Sequence, residues 1–355
     1  MPDYLPDDYL LYSPFPPSST LEKWLKDSNQ ITRQILKNLQ IGEEYVPKLD
    51  ILNPPLWEFG HLTWFHEFWV HRDGQANKPS FMADADYLFN SSEIAHQDRW
   101  STPIPCLDDL LEYNYSVIDR TSQLLRNPVD TKTAYFIQLA IFHQDMHNEA
   151  FAYMWQSLGY SWPLAGDLGS ITPQQNNLEP LYIKIPQSQL QLGSARNTGF
   201  IFDNEKWQHE VLVPSFSISS HAVSNGEYLE FLRSLSEVGT SSVEHQPAYW
   251  KKAGDVWFER CFDQWLEIDL KAPVRHISAH NAEQYCLWRG VRLPTENELN
   301  TLMVSPNAHW IQSNLWEWTS STFLPFEGFS SDPYQDYSAP WFDGRRWLLY
   351  LLGIN

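Results

Sequence analysis

The sequence predicts an α+β protein in which a bundle of four helices precedes a domain of short strands and helices. Three observations support this prediction. Apolar residues recur at helical spacing up to about residue 158, short strand-like runs follow residue 180, and a stretch rich in Pro, Gly, Asn and Gln separates the two patterns. A chain of 355 residues is also longer than a single core usually supports. We therefore predict a helical domain at 19–160, a linker at 161–180 and a second domain at 181–355.

The composition is that of a globular chain with an unusual negative charge. Hydrophobic residues make up 43% of the chain, which includes 17 Trp, 17 Tyr and 19 Phe. The balance of 24 basic and 44 acidic residues gives a formal net charge of −20, which repels phosphate backbones and anionic lipid. We therefore expect neither nucleic acid nor a membrane as a partner. No apolar run approaches the roughly 20 residues of a spanning helix, and the N-terminus lacks the regions of a signal peptide, so we predict a cytoplasmic protein.

Four helices are predicted in the first domain. Their expected bounds are 21–42, 56–71, 107–126 and 133–158. Pro54 and Pro55 stand where the first turn of the second helix tolerates proline, and Gly42 and Gly159 are typical helix ends. Residues 73–105 are rich in turn formers and are expected to form a long loop.

The second domain is predicted to mix short strands with short helices. Strand-like runs occupy 181–185, 210–213 and 216–218. Two helices are indicated by capping boxes, in which Ser224 is followed by Glu227 and Thr295 by Glu298. A third helix is expected from Ala279 to Arg289.

The most informative chemical feature is a histidine pair on the fourth predicted helix. His143 and His147 are four residues apart, so both imidazoles can be directed at one point from the same helix face, as a divalent metal requires. The spacing alone is equally typical of surface or packed core histidines. Three features favour a metal site: the pair lies in an apolar run, Glu149 follows it, and a second histidine-bearing helix lies upstream.

A third ligand is sought on the second helix, which carries His61, His66 and His71. Successive members of this trio are turned by about 140°, so at most one of them can serve the same site as the pair. His61 is favoured because it follows Gly60, a small residue at which another element can come close, and His66 is the alternative. A packed or surface histidine is the competing interpretation for each member.

Three separated stretches carry a family resemblance. The first is the histidine pair with Glu149, together with His61 in the motif at 55–61. The second comprises 199–205, 209–211 and 223–228, and the third comprises 273–278, 282–286, 292–296 and 315–319. In the family's order, these stretches resemble the non-heme iron sulfoxide synthases of ergothioneine and ovothiol biosynthesis.

The resemblance implies a fold, a cofactor and a reaction. It implies that the first half is a DinB-like four-helix domain supplying His61, His143 and His147 to Fe(II). It also implies that the second half is a formylglycine-generating-enzyme-like domain with a C-type-lectin-like fold. The implied substrates are O2, a thiol or selenosugar, and hercynine, whose imidazole C2 forms the new bond. Tyr334 matches the family's catalytic tyrosine, and Tyr337 is its neighbour.

Two further features bear on the branch and on the chain's end. Residues 143–153 and the loop 90–100 resemble the selenoneine synthase branch, and Arg99 stands in that loop where γ-glutamylcysteine-dependent enzymes carry paired arginines. This single arginine weakens the γ-glutamylcysteine interpretation without establishing a selenium donor. After Arg345 the sequence departs from the family pattern, so the second domain is expected to be truncated.

Several alternatives remain open from the sequence. Glu149 is expected to orient a ligand histidine, to be a solvated acid or to contact the other domain. Tyr334 is expected to donate a proton, and packing is its competing role. A zinc-dependent hydrolase or thiol transferase of the DinB-like class, and a hercynine-binding protein without catalysis, are the competing functions. The oligomeric state is not predicted.

Overall fold

The computed structural model describes residues 14–164, 181–196, 198–239, 241–305, 310, 313 and 315–344, and the backbone of 346–350. The described chain divides into two compact units. The first comprises 14–164 and 196–201, and the second comprises 181–195 and 202–350 with the gaps just given. The first unit is helical and the second mixes helices with strands, so the α+β prediction is confirmed. The expected linker lies outside the described residues from position 165 onward.

Five helices form the described part of the first unit. They are α1 (Ser18–Lys37), α2 (Pro55–His66), α3 (Ala85–Phe89), α4 (Leu107–Leu124) and α5 (Thr131–Leu158). Helices α1 and α2 both contact α5, and α4 contacts α2. The seam between α1 and α5 is apolar, with Leu21 and Leu25 packed in one cluster with Ile137 and Ile141. This packing places α2 and α5 side by side, which is the arrangement on which the site depends.

Two boundaries in this unit differ from the prediction. Helix α1 ends at Lys37 rather than Gly42, because the backbone N–H of Asn38 already turns back to the carbonyls of Ile35 and Leu36. Gly42 has φ +92° and belongs to a later turn. The predicted loop 73–105 contains the short helix α3, which starts after Asp84 in a left-handed conformation with φ 58°. A helix of five residues has too few apolar positions for periodicity to reveal it.

The second predicted helix reaches His71 as expected, but its last turn is wider. Residues Glu67–His71 form a π-helix, in which each N–H bonds to the carbonyl five residues back. Residues five apart therefore share a face in this turn. The expected rotation of about 140° between successive histidines does not apply to His66 and His71.

The second unit is built on antiparallel pairs of strands. Its strands are β1 (Tyr182–Ile185), β2 (Ser188–Leu192), β3 (His209–Val213), β4 (Phe216–Ser219), β5 (Trp250–Ala253), β6 (Val256–Cys261), β7 (Gln264–Glu267), β8 (Trp316–Thr322) and β9 (Arg346–Tyr350). Strand β1 pairs with β4, β2 with β3, and β5, β6 and β7 form a three-stranded sheet. Strand β8 pairs with β9, where Trp316 stands opposite Tyr350 and a register shift follows Trp318.

Three helices complete the described part of the second unit: α6 (Asn225–Glu237), α7 (Ala279–Arg289) and α8 (Glu296–Val304). Both predicted capping boxes are present, and α7 has the predicted bounds. Helices α6 and α7 supply most of a buried cluster that includes Tyr228, Phe231, Trp250 and Tyr285. Among the described helices of both units, none combines the length and the apolar content needed to cross a bilayer.

Candidate metal centre

Helix α5 is fixed in rotation by polar contacts of Gln144 and Asn148, which lie about 100° around the helix from the histidine pair. The Gln144 amide donates to Thr32 Oγ1 at 2.9 Å, and Thr32 Oγ1 donates to Asn148 Oδ1 at 2.6 Å. Thr32 lies on α1 and all three side chains are buried. Because residues 144 and 148 face α1, the preceding residues in each turn, His143 and His147, face α2.

Three histidines converge between α2 and α5. One nitrogen each from His61, His143 and His147 lies within 4.8 Å of the others. The Nε2 atoms of His143 and His147 are 3.1 Å apart, and the His61 ring is 5.3 Å from that of His143 between centroids. His61 and His143 are each 3% exposed, and His147 is half-buried. The set is buried at its base and open on the His147 side.

The tautomers suit metal binding. His61 Nδ1 lies 2.8 Å from the backbone carbonyl of Phe89, and a carbonyl only accepts, so Nδ1 carries the proton. His147 Nδ1 lies 2.6 Å from Glu58 Oε1 and donates to it in the same way. In both rings the Nε2 lone pair is therefore left for a ligand bond. Three neutral nitrogens around one point are the donor set that a divalent transition metal prefers.

Electrostatics keep the His61 and His143 rings neutral. Burial, together with the neighbouring His147, lowers the pKa of His61 to about 3. Burial and the rings of His147 and His61 hold the pKa of His143 well below its ordinary value. Since only the neutral imidazole binds metal, the ligand forms of His61 and His143 are present at pH 7.

The other two histidines of the second helix lie elsewhere. His66 Nε2 and His71 Nε2 lie 3.0 Å and 2.8 Å from the hydroxyl of Thr121 on α4. Because that hydroxyl donates to the carbonyl of Val117 at 3.0 Å, it accepts from both rings. The structure therefore brings His61 to the pair, and the π-helical turn brings His66 and His71 to a common partner.

A chain of hydrogen bonds connects His147 to the predicted loop arginine. Glu58 binds His147 through Oε1, and its Oε2 accepts from Asn53 Nδ2 at 2.7 Å. Asn53 Oδ1 accepts from Arg99 Nη1 at 2.8 Å. The Arg99 guanidinium also lies 4.0 Å above the Trp57 ring, which stacks on His61 at 4.9 Å. Arg99 thus reaches two ligand candidates, one through hydrogen bonds and one through stacked rings.

The sequence reasoning missed Glu58 and Asn53. Burial raises the pKa of Glu58, but His147, His61 and Asn53 together lower it more, so the net pKa lies below the ordinary value. Glu58 is 2% exposed and ionised, whereas Glu149, the acid considered at first, is exposed. Spacing offered a signal, because Glu58 precedes His61 by three residues and therefore shares its helix face.

The two predicted tyrosines belong to the second unit. Tyr334 and Tyr337 are half-buried and their rings are 6.4 Å apart between centroids. Burial raises the pKa of Tyr334, and Asp336 and Tyr337 raise it further. Burial raises the pKa of Tyr337 as well, with Glu205 and Asp203 adding to the effect. Both phenols therefore keep their protons at neutral pH.

Comparison with known proteins identifies relatives of both halves. Residues 168–301 match the sulfatase-modifying factor enzyme 1-like domain family. The chain is 24% identical to the hercynine oxygenase of Mycolicibacterium smegmatis, covering 86% of this chain and 83% of that protein. It is 25% identical to ergothioneine biosynthesis protein 1 of Schizosaccharomyces pombe, covering 95% of this chain and 52% of that protein. The formylglycine-generating enzyme of Streptomyces coelicolor is 26% identical over 33% of this chain.

These relatives confirm the resemblance to the sulfoxide synthase family that the motifs predict. They also confirm the predicted order, a helical region followed by a formylglycine-generating-enzyme-like domain. The Mycolicibacterium smegmatis relative, which matches most of the chain, is named as an oxygenase, in agreement with the predicted enzyme class.

Proposed function

We propose that this chain is an Fe(II)- and O2-dependent enzyme that joins a sulfur or selenium donor to C2 of the hercynine imidazole. The observation that carries the proposal is the convergence of His61, His143 and His147 in a chain similar to hercynine oxygenases over most of its length. With a thiol donor, the S–H and C2–H bonds break and the C–S bond forms. One atom of O2 becomes the sulfoxide oxygen and the other leaves as water.

The residues fit Fe(II). Three imidazoles, two of them fixed by Phe89 O and Glu58, form a site that leaves coordination positions open. When bound, Fe(II) would supply positions for an anionic chalcogen donor and for O2, and the redox chemistry that joins them. Glu58 keeps the proton on His147 Nδ1, which directs the lone pair of Nε2 into the site.

Arg99 is the proposed anchor for the donor. Burial lowers the pKa of Arg99, and the nearby Glu58 carboxylate offsets part of this effect. Its Nη1 is engaged by Asn53 and its face by Trp57, which hold the guanidinium rigidly beside the histidines. A guanidinium held in this way binds a carboxylate or a sugar hydroxyl with little loss of side-chain entropy. Arg99 is the only basic Lys or Arg side chain in the described loop 90–100, and one cation favours a donor with few carboxylates. We propose a selenosugar as the donor, with a thiol as the alternative.

Tyr334 is the proposed proton donor. A phenol that stays protonated at neutral pH can give its proton to oxygen during the reaction and recover it from water. Tyr337 is proposed to act beside Tyr334 in this role. Glu149 is retained as a weaker candidate for the edge of the site, because it lies on α5 two residues beyond His147 and is exposed.

The test is anaerobic loading with Fe(II) and hercynine, followed by O2 and one donor at a time: cysteine, γ-glutamylcysteine or a selenosugar. Mass spectrometry should find a hercynine adduct with one donor, and the donor that reacts identifies the branch. His143→Ala should abolish stoichiometric iron binding, whereas His280→Ala, an exposed histidine of the second unit, should leave it unchanged. Unchanged iron stoichiometry in His143→Ala, or equal turnover under nitrogen, would contradict the proposal.

A further inference from the structure

Residues 332–338, here called the tyrosine segment, are tied to the second unit at both ends. At the start, Lys206 Nζ donates to Asp332 Oδ1 at 2.6 Å and to Oδ2 at 2.7 Å. At the end, Ser338 Oγ donates to Asp203 Oδ1 at 2.6 Å. Between these ties lie Tyr334 and the single 3-10 turn Gln335–Tyr337. The two tyrosines therefore lie on a short segment whose two ends are held by hydrogen bonds.

The Asp203 carboxylate connects the two ends of the tyrosine segment. Asp203 accepts from Ser338 through Oδ1 and from the backbone N–H of Asp332 through Oδ2, at 3.2 Å. Asp203 and Ser338 are each 1% exposed, and Lys206 and Asp332 are each 8% exposed. A buried carboxylate that lost either donor would have an unsatisfied oxygen away from water, which costs free energy. Other conformations of the tyrosine segment are therefore strongly disfavoured.

The stretch of chain around Asp203 also packs an aromatic ring against the tyrosine segment. Phe202, which precedes Asp203, stacks on Tyr337 with 4.1 Å between ring centroids and 17° between planes. Lys206 follows three residues after Asp203 and places its ammonium between the oxygens of Asp332. Residues 202–206 thus fix both ends of the tyrosine segment and the ring of Tyr337.

We propose that Asp203 and Lys206 are positioning residues that fix the tyrosine segment and thereby orient the Tyr334 phenol for proton donation. This inference rests on the proposed function, since it takes Tyr334 as the proton donor. Neither residue is assigned a contact with substrate, and each acts through the tyrosine. Displacement of a reacting group by about 1 Å can cost about 100-fold in rate, so the position of the tyrosine segment controls turnover.

The experiment uses the full chain loaded with Fe(II). Ser338→Ala removes one of the two donors to the buried Asp203 carboxylate. Asp203→Asn, which also removes the charge, is the stronger second variant. Ser234→Ala is the matched control, because its hydroxyl bonds only locally, to the Phe231 carbonyl at 2.7 Å on α6. Each variant is also made in a Tyr334→Phe background. The readouts are kcat, KM for hercynine, O2 consumed per adduct, and amide hydrogen exchange of peptides covering 332–338.

We expect Ser338→Ala to lower kcat by about tenfold and to raise the O2 consumed per adduct, with KM for hercynine unchanged. In the Tyr334→Phe background the same change should have no further effect on kcat. Exchange of the tyrosine segment should rise in Ser338→Ala and stay constant in Ser234→Ala.

Any other result contradicts either the positioning role of Asp203 and Lys206 or the proposed function on which it rests. Unchanged exchange would show that these residues do not fix the segment. An equal loss of kcat in both backgrounds would show a structural role that does not act through Tyr334, and full activity of Tyr334→Phe would overturn the positioning role. If no donor yields an adduct, the proposed function fails, while the exchange result still decides whether Asp203 and Lys206 fix the segment.

Discussion

Replacing Glu58 by Gln tests the most specific feature of the candidate metal centre. Glu58 is 2% exposed and accepts two hydrogen bonds, from His147 Nδ1 at 2.6 Å and from Asn53 Nδ2 at 2.7 Å. Both partners are donors, so a glutamine presents its own NH2 group to one of them. Asn53 cannot simply rotate its amide, because its Oδ1 already accepts from Arg99. The substitution therefore removes the charge and breaks one bond at nearly constant volume.

The expected loss can be worked from these contacts. A hydrogen bond to a charged group contributes about 1.5–3 kcal/mol, and tenfold in affinity corresponds to about 1.4 kcal/mol. Loss of the outer partner of a ligand histidine typically costs about 10- to 100-fold in metal affinity. The two ranges agree, so we expect the Fe(II) dissociation constant of Glu58→Gln to rise by about 10- to 100-fold. Anaerobic competition with a chromophoric chelator measures this constant.

Glu112→Gln is the matched control for this measurement. It removes the same charge from an exposed position on α4 that has no assigned role in the site. Its dissociation constant should stay within about threefold of the parent chain, since an exposed charge is well screened. An equal weakening in both variants would show that net charge, and not the bond to His147, sets the affinity. An unchanged constant in Glu58→Gln would refute the assigned role of Glu58.

Three further predictions concern stability and donor binding. The pKa of His66, lowered by burial to about 3 from 6.5, means that the unfolded chain takes up the proton first, so stability falls below about pH 6.5. Between pH 7 and pH 5, His66 should account for about 2 kcal/mol of the stability lost in urea unfolding, so the loss should be smaller by about that amount in His66→Gln. Gly60→Ala would place a Cβ 2.1 Å from the Phe89 ring, so thermal unfolding should show about 1–3 kcal/mol of destabilisation. Arg99→Gln should raise KM for the donor by about tenfold or more, with KM for hercynine unchanged in steady-state kinetics.

Local spacing predicted the convergence of the histidines at the candidate metal centre, because side chains recur periodically along a helix. The four-residue separation of His143 and His147 determines that they share a face, whatever surrounds them. Gly60 was expected to mark a close approach, and the Phe89 ring lies where its Cβ would be. The approaching element is the short helix α3, which the sequence did not reveal. The orientation of His61 by the Phe89 carbonyl therefore depends on a contact between residues 28 positions apart.

The parts that could not be predicted are those that depend on distant partners. All four residues of β7 are exposed, so no alternation of buried and exposed positions distinguishes this strand from a loop. Strand β8 pairs with β9 across a register shift, and that pairing joins residues far apart in sequence. The π-helical turn of Glu67–His71 is likewise not encoded by apolar periodicity, yet it determines that His66 and His71 share Thr121.

The candidate chemistry is divided between the two units in a way that separates its measurements. The imidazoles, Glu58 and Arg99 all come from residues 58–147 of the first unit, whereas the tyrosine segment and its ties come from the second. Metal affinity should therefore respond to Glu58→Gln and not to Ser338→Ala. The O2 consumed per adduct should respond to Ser338→Ala because proton delivery, and not metal loading, is disturbed. A Ser338→Ala variant with a weakened metal constant would show that the tyrosine segment supports the metal centre itself, and the roles assigned to the two units would have to be merged.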